Sequence, residues 1–155
     1  RELAQLARSE VAFPAPASFA ATVLVRAELE RLRIPVTPRF VGSHESVYLN
    51  VVRGVHPAGG GIPRTLQAME PEVRDALRVL WSTKDYTPHA LAAHPRVPAA
   101  AVARLLAAME GAPAGVAGKA ALQGVGFTGI APAKDDDWND VRGLGIQTLA
   151  ELLKS

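Results

Sequence analysis

The order strand, turn, serine, helix occurs twice within the first 53 residues, and it confines the chain to folds in which helices follow the strands of one sheet. Residues 11–13, Val-Ala-Phe, read as a short strand closed by Pro14 and Pro16, which a sheet interior tolerates poorly. Ser18 then stands as an N-cap. The helix expected over 19–33 carries Val23, Leu24, Ala27, Leu29 and Leu32 at helical spacing, with Arg26, Glu28, Glu30, Arg31 and Arg33 on the wet side, and Pro35 ends it. The second round places a strand over 37–41, an N-cap at Ser43, a helix over 45–53 and a stop at Gly54. In an α/β sheet, ligands sit beyond the carboxyl ends of the strands, where both serines fall. A helix start presents unpaired N–H groups and partial positive charge, so the pair suits a small anion. The expected surface joins the backbone of Phe19 and Ala20 to Ser18, Ser43 and His44.

Further along, Gly59, Gly60 and Gly61 allow a backbone approach that a Cβ would forbid, so something is expected to lie against them, and Gly60 joins the candidate site. With no Gly-Lys-Ser or Gly-Lys-Thr after it, this run is a tight loop rather than a phosphate cradle. A helix or a pair of turns follows over 63–77, with Pro71 opening the second piece. Strands are expected over 78–82 and 90–93. A helix over 97–110 carries Val102, Leu105, Leu106 and Met109 on its apolar side, and a weaker one spans 114–123 because Gly115 and Gly118 lower its propensity. Residues 126–145 read mostly as loop and 146–154 as a last helical turn or two.

With 48% hydrophobic and 21% charged residues among 155, the chain can bury an ordinary core. The net charge of +2 forms no basic block, so no nucleic-acid partner is expected. The absence of cysteine excludes disulfides and thiolate metal sites. Asp135-Asp-Asp137 with Asn139 has the look of a calcium loop, but Asp140 stands where glycine is needed and Ile146 where a bidentate Glu is needed; a solvated turn accounts for it. Four histidines without a His-Glu-x-x-His helix give no zinc site, so neither metal nor cofactor is expected. No nucleophile, base and orienting group assemble from local motifs; Ser18 and His44 could approach in space, but helix caps at a ligand cleft explain both more simply than acyl transfer, and no enzyme is read here. Each candidate also has a structural role open to it: Ser18 and Ser43 as plain caps, His44 as a donor to a backbone carbonyl, Phe19 as core.

The segments Ala12-Phe-Pro-Ala-Pro-Ala-Ser18 and Gly42-Ser-His44 resemble those of the phosphate, phosphite and phosphonate substrate-binding proteins of bacterial ABC importers. The resemblance continues through Leu77-Arg-Val-Leu-Trp-Ser82, Pro88-His89, Ala93-His94-Pro95, Gly126-Phe127 and Ala133-Lys-Asp-Asp-Asp-Trp138. It implies an α/β fold of the periplasmic-binding-protein type 2 class, a sheet flanked by helices. Residues 1–80 would form the second ligand-binding lobe and 81–155 a hinge return and C-terminal segment, with the N-terminal lobe largely missing and the export signal upstream. It further implies capture of a small oxyanion or phosphonate-like anion outside the cytoplasm, by a periplasmic or lipid-anchored protein, for delivery to a membrane permease. A sensory module of a receptor or histidine kinase is the alternative. Where the family has Thr, Ser and Gly after its serine, this chain has Phe19, Ala20 and Ala21, and Pro57 replaces an Asp that meets ligand amines. The first change leaves one hydroxyl beside the backbone donors, and the second points away from an amine-tailed ligand. A segment 81–155 without its lobe is expected either to pair with another copy or to rearrange onto the second lobe.

Overall fold

The structure is a computed structural model in which residues 2–144 are described. They fall in two compact units, one ending at Asp85 and one spanning Tyr86–Leu144. In the first unit a 3-10 turn, Leu3–Leu6, leads into β1 (Glu10–Phe13). A π-helical turn, Phe19–Val23, opens α1 (Leu24–Arg31), and β2 (Thr37–Phe40) is followed by α2 (His44–Val52), α3 (Pro63–Gln67) and α4 (Pro71–Arg74).

The two strands run parallel, with Glu10 opposite Thr37 and Phe13 opposite Phe40. This is the mixed helix and small parallel sheet that the paired strand–serine–helix order implies. The Thr37 N–H donates to the Ser9 carbonyl and the Val41 N–H to the Phe13 carbonyl, both at 2.9 Å. The backbone groups of residues 37, 39 and 41 therefore face β1, while those of Pro38 and Phe40 face the side that pairs with no strand among the described residues, where proline has no N–H to present. On the other flank of β1, Ala12 donates to Ala58 at 3.0 Å and accepts from Gly60 at 2.9 Å. The glycine run thus lies along β1 as an added rung, and Gly59 bridges Ala12.

Burial explains the choice of glycine there. A Cβ on Gly60 would overlap the Ala21 carbonyl and the Phe13 ring, and one on Gly61 would overlap the Tyr48 hydroxyl. Val11, Ala12, Phe13, Ala21, Val23, Leu24, Leu29 and Val47 form the core between sheet and helices, which the strand face and the helix stripes supply together. The Tyr48 hydroxyl donates to the Ile62 carbonyl (2.8 Å) and accepts from the Ile62 N–H (3.0 Å), tying the loop after α2 back onto that helix. Gly54, at φ 71°, ends α2 as expected.

Two sets of expectations need correction. The helix read over 19–33 is π-helical in its first five residues and α-helical only to Arg31. The strands expected over 78–82 and 90–93 do not form. Neither segment has a ladder partner among the described residues, and β propensity is realised only against a neighbour, so Val79 and Leu91 stay exposed. The last turn read over 146–154 lies outside the described residues.

The second unit is built from α5 (Ala99–Gly111), a 3-10 turn at Ala112–Ala114, α6 (Val116–Gly124), a second 3-10 turn at Asp135–Trp138 and α7 (Asn139–Arg142). Gly118 is required where it stands, since a Cβ would meet the Ala112 carbonyl. The aspartate run is a self-satisfied turn. Lys134 N–H donates to Asp137 (2.7 Å), Arg142 pairs with Asp135 (2.7 Å), and Asp140 accepts from the Thr87 N–H (2.8 Å). His94 accepts from the Arg96 N–H and the His89 ring lies 6.4 Å from that of Phe127, both structural roles. Along α5, Val102, Leu106 and Met109 are half-buried and Leu105 is exposed.

Candidate anion-binding site

The parallel pairing of β1 and β2 brings their carboxyl ends side by side. The ladder runs past both strands, the Gly42 N–H donating to the Pro14 carbonyl at 3.0 Å. From that edge, residues 14–17 lead to Ser18 and residues 41–42 to Ser43. Gly42, at φ 89°, makes the sharp turn that a side chain would strain. Two helix starts therefore leave neighbouring strands at one edge of the sheet, the position at which α/β folds bind ligands.

The two starts differ in chemistry. At Ser43 the hydroxyl accepts from the Ser46 N–H (3.0 Å) and donates to the Ser46 hydroxyl (3.1 Å), an ordinary cap whose hydrogen-bonding capacity is largely used. At Ser18 the hydroxyl makes no capping bond, and it is the carbonyl that accepts, from Thr22 N–H (2.8 Å) and Val23 N–H (3.1 Å). That double acceptance widens the first turn into a π-helix, a form often found at functional sites. The buried Thr22 hydroxyl donates to the Ala15 carbonyl (2.8 Å) and braces the 14–17 turn against this opening. Thr22 was not among the sequence candidates; its signal is a lone hydroxyl within an otherwise apolar run.

Charge also separates them. The first turn of the Ser18 helix has no acidic residue, whereas that of α2 carries Glu45. Glu45's own backbone N–H, and after it the Ser43 hydroxyl, hold the Glu45 carboxyl below the usual carboxylate range. A carboxylate already occupies the positive end of α2, so an added anion is better received at the Ser18 start.

His44 is the first residue of α2, half-buried, and its Nδ1 is enclosed with no hydrogen-bond partner among the described residues. Phe19 and Ala20 are exposed in the first turn after Ser18. Gly60 is buried and its N–H is engaged by Ala12. Its contact with the Ala21 carbonyl supports the underside of the Ser18 turn.

A family model for the phosphonate periplasmic substrate-binding proteins of ABC transporters matches residues 1–138 of the 155. The chain belongs to this family of non-enzymatic solute-binding components, whose place is outside the cytoplasm. No curated protein matches it.

Proposed function

We propose that the Ser18 helix start, with His44 and the Ser43 cap beside it, receives the oxyanion head of a small phosphonate-like ligand that the protein hands to the permease of an ABC importer. The observation that carries this reading is the exit of two helix starts from adjacent parallel strands at one sheet edge, in a chain of this family. The helix start at Phe19 and Ala20 and the Ser18 hydroxyl, which makes no capping bond among the described residues, present the donors, and Gly60 holds the turn that bears them from below. Pro57 leaves no carboxylate for an amine, which favours ligands without an amino tail.

Calorimetric titration with methylphosphonate and with inorganic phosphate tests this. Ser18→Ala and His44→Ala should each weaken binding by about tenfold or more, the loss of one hydrogen bond to a charged group. Glu45→Gln should tighten it about threefold by removing a competing charge at the neighbouring helix start. Unchanged affinity in both alanine variants would place the ligand elsewhere.

The exposed apolar residues of the second unit, Leu91, Leu105 and Val116 among them, suit self-association of the chain. Light scattering over a hundredfold range of concentration, roughly the span over which weak dimers dissociate, should show mass rising with concentration. A constant monomer mass would remove this part of the reading.

A further inference from the structure

At the far end of α1, roughly 20 Å along the helix from Ser18, lies an open groove of about 420 Å³. It is lined by Arg26, Leu29, Glu30, Arg33 and the Ile34–Val36 segment. Two features of this groove bear on what it could hold. Arg26 Nη1 is buried with no hydrogen-bond partner among the described residues, an arrangement that costs free energy unless something accepts from it. Arg33 occupies the left-handed region, at φ 57°.

That second feature belongs to the helix stop. The Arg33 N–H donates to the Glu30 carbonyl (2.9 Å) and the Ile34 N–H to the Leu29 carbonyl (2.8 Å), the paired bonds of a Schellman motif. Its left-handed position is ordinarily filled by glycine, which adopts it without steric cost. An arginine held there is strained, and strain of this kind points to use of the side chain. Arg26 and Arg33 together outweigh Glu30, leaving the groove with one net positive charge beside the apolar surfaces of Leu29, Ile34 and Val36.

We propose that this groove is a second binding site, for a small amphipathic anion with one oxyanion head and a short apolar tail. The Arg26 and Arg33 guanidinium groups take the head, for which their planar fork of donors is suited. The tail lies on Leu29, Ile34 and Val36. This site shares no residue with the Ser18 start and does not depend on what binds there.

The test is a titration of the full chain with hexanoate, followed by NMR amide shifts, with acetate and hexanol as probes lacking the tail or the charge. Saturable shifts at Leu29, Ile34 and Val36 are expected, with acetate and hexanol each at least about tenfold weaker. Arg26→Gln should weaken hexanoate at least about tenfold, the equivalent of one lost charge-assisted bond. Arg33→Gly relieves the strained φ, so its melting temperature should rise while its hexanoate affinity falls. A rise in melting temperature with unchanged affinity would make Arg33 only a helix stop and overturn the proposal. Shifts confined to residues 18–20 and 43–44, or equal binding by Arg26→Gln, would overturn it as well.

Discussion

Gly60→Ala is expected to lose about 3 kcal/mol or more of stability, the upper range for forcing extra atoms into a closed core. The added Cβ would overlap the Ala21 carbonyl oxygen and stand 2.8 Å and 2.9 Å from two carbons of the Phe13 ring. Neither neighbour can yield cheaply, since Ala21 offers backbone and Phe13 is fully enclosed. Relief requires the glycine run to lift off β1, which breaks the bonds from Gly60 N–H to Ala12 and from Ala12 N–H to Ala58. Urea unfolding of this variant beside Gly115→Ala makes the comparison. Gly115 has extended backbone and open space around its Cβ position, so alanine there should be close to neutral. Similar midpoints for the two variants would show that the 59–61 segment does not pack against β1.

Tyr48→Phe should cost about 2 kcal/mol, because it strands both polar groups of Ile62 in a partly buried setting. The effect should depend on pH in one direction. Burial, the largest influence, raises the Tyr48 hydroxyl above its ordinary value of 10.0. The folded protein therefore favours the neutral phenol. The resulting stability is complete below the unfolded value and is lost as pH rises through the higher folded one. Phenylalanine cannot ionise, so the gap between wild type and variant should narrow above pH 10. A gap that stays constant into strong alkali would mean that the phenol ionises equally well in both states.

Local chemistry made the first unit readable. Pro14 and Gly42 mark the strand exits, Ser43 caps α2 through Ser46, and Gly54 stops it at positive φ, each a signal contained within a few residues. The π-helical opening was not readable in the same way, because it depends on Ser18's carbonyl being shared by Thr22 and Val23 rather than on any residue preference. Residues 78–82 and 90–93 have strand composition, but a strand is defined by its neighbour, and sequence pattern carries no information about whether that neighbour is there. At the site, Ser18 and Ser43 look alike in sequence. Only the geometry separates a cap that is satisfied from one that is not, and only the charge of Glu45 ranks the two helix starts. Arg26 and Arg33 read as ordinary wet-side residues because burial of a single guanidinium nitrogen and a left-handed φ leave no mark on periodicity.

The proline on the outer side of β2 bears on how copies of this chain behave when crowded together. A small parallel sheet whose margin pairs with no further strand among the described residues is a template on which identical chains can stack into fibrils, each copy extending the ladder of the last. At this margin only Phe40, of the two outward-facing residues of β2, carries an N–H, so an incoming strand loses a rung opposite Pro38. Such blunting is one of the means by which natural sheets resist templated growth. The β2 margin thus carries its own obstacle to templated growth, in a proline that withholds one of the N–H groups an incoming strand would need.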